Sequence, residues 1–124
     1  MATKTTINKT PKSYEIDAAG KSLGRIAAQA AKMLMGKTSA DYTPNIRSEV
    51  KVTITNVAKL TTREKKAVQT KFTKYSGYPG GLKTVSLQQL NEKKPCEALR
   101  RAIERMMPRN TFRTERMKNL TINV

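Results

Sequence analysis

Tyr75-Ser76-Gly77-Tyr78-Pro79-Gly80-Gly81-Leu82-Lys83 packs three glycines and two tyrosines into nine residues. Glycines let backbone amides approach a phosphate closely. Tyr75 and Tyr78 offer ring faces on which unpaired bases or sugars stack. Lys71, Lys74 and Lys83 flank them with positive charge. A plain connecting loop is the alternative; aromatics and lysines around a glycine turn, in so basic a chain, favour RNA contact. A second cationic group follows. Arg100, Arg101, Arg105, Arg109, Arg113 and Arg116 include several pairs at spacings of three and four, which reads as a continuous stripe. Only Glu97, Glu104 and Glu115 oppose it, so the stripe is expected to remain unneutralised rather than to be an ordinary solvated helix face.

Other chemistries are poorly supported. Ala18-Ala19-Gly20-Lys21-Ser22 resembles the end of a phosphate-binding P-loop, but the full motif needs a glycine where this chain has Glu15. Asp17 would also repel the phosphate. The helix that opens here could still hold an RNA phosphate at its N-terminus. Glu15 and Asp17 share one strand face, yet no His base accompanies them, and a capping or ion-pair role is preferred. The chain has no His and a single Cys. That excludes a zinc site, a Ser/His or Cys/His catalytic pair and an internal disulfide. Cys96 is expected to be a semi-buried structural residue. The chain reads as a non-enzyme with no cofactor, no metal and no small-molecule substrate.

Charge identifies the partner. Twenty-five Lys and Arg stand against nine acids in 124 residues, a net charge of +16. Residues 1–62 carry +6 and residues 63–124 carry +10. Such self-repulsion gives a folded domain nothing, whereas a polyphosphate offsets it and releases its own counterions. A membrane-surface binder would want Trp, Phe or Leu opposite a basic helix face; Trp is absent and Phe occurs only at positions 72 and 112. The best apolar run, Ile26 to Met35, is short and broken by Gln29 and Lys32, too brief for a bilayer. No secretory signal is expected at the start. Nucleic acid is therefore favoured and membrane is not.

The elements that must position these residues can be read from periodicity. Residues 1–13 read as a flexible basic arm bearing Lys4, Lys9 and Lys12, and residues 14–124 as one domain. Tyr14 to Ala18 is a short strand. Ser22 is placed to N-cap a helix to about Met35, with Leu23, Ile26, Ala27, Ala30, Ala31 and Leu34 on one face and Lys21, Arg25, Gln29 and Lys32 on the other. Gly36 stops it. Val50 to Val57 is a β-branched strand. A polar edge strand is expected from Lys66 to Lys74. Tyr78-Pro79-Gly80-Gly81 suits a type II turn. Ser86 to Gln89 has the form of a capping box, and Pro95 opens a further helix. That helix should bury Leu99, Ala102, Ile103 and Met106 and point Arg100, Arg101 and Arg105 away. Leu120 to Val124 is a final strand. Strand, helix, strand at this spacing predicts parallel pairing, with helices on both faces of a small sheet.

Taken in order, these motifs resemble the thirteenth large-subunit ribosomal protein family, the universal L-thirteen family, over about residues 14–124. The resemblance rests on Asp17 to Arg25, Gly36-Lys37, Tyr42-Thr43-Pro44, Ser76 to Lys83 and Ala102 to Asn110. Tyr75 stands where the family usually has His. The resemblance points to a bacterial-type member with a shortened C-terminus. It implies an α/β fold of three layers, α/β/α, with a mainly parallel four-stranded sheet. It implies binding to large-subunit ribosomal RNA beside neighbouring large-subunit ribosomal proteins, an early role in subunit assembly, and a cytoplasmic, ribosome-bound location. The RNA-contacting positions it carries over are Lys21 and Arg25 at the helix start, the loop positions Ser76, Gly77, Gly80, Gly81 and Lys83, and Arg105 to Asn110; Lys37 is a further candidate for RNA contact.

Overall fold

A computed structural model describes residues 11–124 of the chain. Its main sheet has three strands in the order β1-β2-β5, all parallel: β1 Lys12–Asp17, β2 Val50–Thr55 and β5 Leu120–Ile122. The register sets Ile16 beside Ile54 and Ile54 beside Ile122. Because side chains alternate along a strand, Ile16, Val50, Val52, Ile54 and Leu120 share the buried face. Ser13, Glu15, Asp17, Lys51 and Thr121 project from the exposed face. The α/β class and the parallel sheet are as expected. The expected fourth strand is not part of this sheet among the described residues, and the sheet's apolar packing is confined to one face. Lys4 and Lys9 of the expected arm lie outside the described residues. Lys12 and Ser13 already belong to β1, so the strand starts earlier than Tyr14.

Helix α1, Leu23–Leu34, connects β1 to β2 and buries Ile26, Ala27, Ala30, Ala31 and Leu34, the face that the spacing predicts. Its small alanines let α4, Pro95–Met106, pack against it, with Leu99 and Ile103 fully buried. Each such buried Leu or Ile contributes about 1.5–3 kcal/mol. Ser22 occupies the N-cap position in extended backbone, but its side chain makes no capping hydrogen bond; its backbone instead forms a bridge to Thr61. At the other end Gly36 has φ +80°, and a Cβ there would lie 2.8 Å from the Cβ of Ser48. The Ser48 hydroxyl donates to the Leu34 carbonyl at 2.7 Å, satisfying one of the orphan acceptors at the helix end.

The middle of the chain departs most from expectation. Residues 64–69 form helix α2, Glu64–Gln69, where the sequence suggests the start of a strand. Strand β3 is only Lys71–Tyr75, and it pairs antiparallel with β4, Leu82–Ser86, as a separate hairpin. Ser86 then caps α3, Leu87–Lys93, through the predicted capping box with Gln89. Helix α5, Thr111–Lys118, leads into β5. Two apolar cores result. Sixteen buried residues join the sheet, α1, α4 and α5, including Met107 and Met117. Four more, Phe72, Leu87, Leu90 and Ala98, hold the hairpin to α3 and α4. Met106, expected in the core, is 44% exposed, because α4 ends there and the chain turns Met107 inward instead. Cys96 is half-buried, as expected.

Candidate nucleic-acid interface

The hairpin loop has the predicted turn. The Gly81 amide donates to the Tyr78 carbonyl at 3.0 Å, with Gly80 at φ +73°, the backbone of a type II turn. A Cβ at Gly81 would meet the Ser76 hydroxyl at 2.0 Å and the Tyr78 carbonyl at 3.0 Å, so the exposed Ser76 side chain would have to swing aside to admit one. Gly77 also has positive φ. Tyr75 and Tyr78 are 62% and 76% exposed, so both rings are available for stacking. Ser76 at the loop's base is exposed too.

Strand alternation sorts the hairpin's side chains into two faces. Lys71, Thr73 and Tyr75 lie on one, with Tyr75 opposite Leu82. Phe72 and Lys74 lie on the other, with Lys74 opposite Lys83. Phe72 is buried against α4, and the guanidinium groups of Arg101 and Arg105 sit over its ring at 5.7 and 5.1 Å. Ala98, Arg101 and Arg105 follow one another at helical spacing on α4. The face of α4 expected to point away from the fold therefore carries the hairpin. Two of its three arginines cap an aromatic ring, and four cations (Lys74, Lys83, Arg101 and Arg105) gather on the same side of the hairpin. Leu23 packs against both cores, which brings the first turn of α1, with exposed Lys21 and Arg25, beside this region.

The arginine stripe is not continuous, and it is partly neutralised. Glu97 pairs with Arg101 within α4. Glu104 lies 3.8 Å from Arg113, and Glu115 lies 2.8 Å from Arg47, whose guanidinium that contact holds above its ordinary value. These are surface or half-buried pairs, each contributing little to stability, but they remove Arg101 and Arg113 from the uncompensated charge. Arg100 and Arg109 have no acidic partner among the described residues. Arg116 is the clearest correction: it is 3% exposed, lies over the Phe112 ring at 5.5 Å, and its Nε has no hydrogen-bond partner. It faces a cavity rather than open solvent. Lys37 and Asn110, far apart along the chain, line that same cavity. So do Tyr42 and Pro44, which sequence reasoning quotes as part of a motif without assigning them to the site. Phe72, the platform under two arginines, is likewise missed; a lone aromatic in a lysine-rich strand gives no period to read.

At the sheet's exposed edge, the Asn56 side-chain amide and the Ala19 backbone amide both donate to Asp17, at 2.9 and 3.1 Å. These bonds, with Lys21 and Lys59 nearby, hold the Asp17 carboxyl below its ordinary value. Asp17 is thereby committed to fixing the turn before α1, not to acid–base chemistry. Among the described residues no group of His, Cys, Asp and Glu is arranged to hold a metal ion, and no helix is long and apolar enough to cross a membrane.

Residues 11–123 match the sequence model of the family described as ribosomal protein L13. The chain belongs to the ribosomal protein L13 family. Curated relatives agree. The large ribosomal subunit protein uL13 of Pelotomaculum thermopropionicum is 39% identical over 92% of this chain and 79% of its own length. That of Treponema pallidum is 41% identical over 86% of this chain and 75% of its own. That of Thermotoga maritima is 39% identical over 88% and 73%. None of these names states a reaction. The L13 match runs from β1 through β5, so the hairpin, the cation cluster and the cavity all lie inside the family's span.

Proposed function

We propose that the chain is a structural constituent of the large ribosomal subunit, which binds large-subunit ribosomal RNA and supports early assembly and translation. The single observation that carries this reading is the L13-family match over residues 11–123. The net charge of +16 and the gathering of Lys74, Lys83 and Arg105 over the hairpin support it physically. Like charges held this close destabilise a free protein and are relieved by a polyanion.

In this reading three surfaces meet RNA. The hairpin offers Lys71, Lys74, Lys83 and the loop from Tyr75 to Gly81, reading shape and stacking on unpaired bases. Lys21 and Arg25 flank it, and Arg100, Arg105 and Arg109 extend it along α4 and beyond. Arg101 and Arg113 serve chiefly to brace Phe72 and Glu104. Neighbouring ribosomal proteins complete the surroundings, and the protein resides on cytoplasmic ribosomes. No membrane and no small-molecule substrate belongs to this function.

The test is co-sedimentation with large subunits through a sucrose gradient after a high-salt wash. Retention on the subunit is expected; recovery only in the free-protein fractions would overturn the reading. Binding of the purified protein to large-subunit RNA should also weaken steeply with salt. If six to ten phosphates are engaged, the loss is roughly 10³–10⁵-fold between about 50 and 200 mM, on the scale known for DNA.

A further inference from the structure

An open cavity of about 550 Å³ lies where the end of α1 meets the α4–α5 junction. Lys37, Tyr42, Pro44, Pro108, Asn110 and Arg116 line it. Its size falls within the roughly 300–1,000 Å³ of pockets that hold small ligands. We infer that it is built to take one unpaired nucleotide extruded from the RNA, with its phosphate toward Lys37 and Arg116 and its base against Tyr42. The inference rests on the RNA-binding reading above and narrows it to one chemical unit.

Arg116 is the observation that asks for a ligand. Arg116 is 3% exposed as a residue, and a buried guanidinium donor left without an acceptor carries a desolvation cost. Here it makes no hydrogen bond to any described residue, and its Nε is shut off from solvent. The Phe112 ring lies against one face of the group and offers only a cation–π contact. Among the described residues nothing accepts from Arg116 and no acid lines the cavity, so an anionic or strongly polar group entering the cavity would supply the missing acceptor to its terminal nitrogens.

The remaining lining selects among anions. Tyr42, 37% exposed, and two prolines present flat apolar surfaces of the kind on which a base stacks. The Asn110 amide carries both a donor and an acceptor, which matches the edge of a base and exceeds what a carboxylate uses. An acidic side chain would satisfy Arg116 and Lys37 but brings no flat ring to stack on Tyr42.

The experiment follows the Nε–Hε signals of Arg116 and Arg105 by NMR in the full-length protein. The probes are a mixed-sequence single-stranded pentaribonucleotide, inorganic phosphate and a glutamate-rich pentapeptide. Expected are a saturable shift of Arg116 with the oligonucleotide, Kd about tenfold weaker in Tyr42→Ala through loss of one base stack, and recovery in Tyr42→Phe. A shift of Arg105 without Arg116 would overturn the cavity assignment and leave the RNA reading standing. Equal response to phosphate, with no effect of Tyr42→Ala, would reduce the site to an anion hole and overturn it. A stronger response to the peptide would assign the cavity to a protein partner, again overturning it. Failure of the protein to bind any RNA at low salt would remove the parent reading as well.

Discussion

Lys74 and Lys83 stand directly opposite each other across the β3–β4 hairpin, on the face shared with Phe72 and its two covering arginines. Two like charges in cross-strand register cost roughly 0.2–1 kcal/mol, and neither lysine has an acidic partner among the described residues. The arrangement lowers the stability of the free hairpin and offers a divalent grip on a phosphate. Lys83→Glu should therefore raise the melting temperature of the isolated protein slightly and weaken RNA binding several-fold. Calorimetry beside a filter-binding titration checks both directions at once. A variant that binds RNA as the wild type does would show that these lysines do not face RNA.

Arg105 has two tasks that can be separated. Its guanidinium covers Phe72 at 5.1 Å, a contact of about 0.5–1 kcal/mol at an exposed site. Arg105→Lys keeps the charge but loses the planar stack, and Arg105→Gln loses both. If Arg105 neutralises a phosphate, the slope of log affinity against log salt should fall by about one in the Gln variant and stay unchanged in the Lys variant. Equal slopes in all three proteins would confine Arg105 to a packing role.

Gly80 has φ +73° with open space around it, so a substitution there meets strain in the backbone and no steric neighbour. Gly80→Val forces a β-branched residue into the left-handed region at a cost of roughly 1–3 kcal/mol. The strain is local to the loop, remote from the sixteen-residue core. The domain should remain folded by circular dichroism while incorporation into large subunits declines. Wild-type incorporation would remove the loop from the interface.

Asp17 gives a prediction with a defined sign. Its folded-state carboxyl is held below the ordinary 3.8 first by the Asn56 amide and then by the Ala19 amide. A group whose pKa falls on folding adds stability that is present above the unfolded value and is lost as pH drops through the folded one. Carboxyl NMR should place the Asp17 midpoint below 3.8, and Asn56→Ala should move it back upward. An unmoved midpoint in that variant would show that the Asn56 bond does not form in solution.

The elements that pack along a single period were legible in the sequence. Helix α1 and strand β2 bury the residues that spacing picks out, because their burial depends on their own alternation. The turn at Pro79-Gly80 and the box at Ser86 were legible because their chemistry is local. The segment from Lys65 to Gln69 was not: its charged residues suit a short helix or an edge strand alike, and contact with α3 decides. The fate of the arginines was hidden for the same reason. Arg101 and Arg105 lie over Phe72 only because the hairpin, remote along the chain, docks on α4. Arg116 is buried because α5 turns it toward the end of α1. Charge revealed the class of partner; tertiary packing chose which cations remain to meet it.

Ala98 and Leu99 are neighbours on α4, yet one belongs to the four-residue core beneath the hairpin and the other to the sixteen-residue core above the sheet. The helix is thus a party wall between two rooms of unequal strength. The smaller one buries little apolar surface, so its amides should exchange with solvent sooner, through openings that leave the larger one shut. A ribosomal subunit growing around this protein would then meet a finished scaffold carrying a finger that still yields, and the last contacts to form would be the ones that stiffen it.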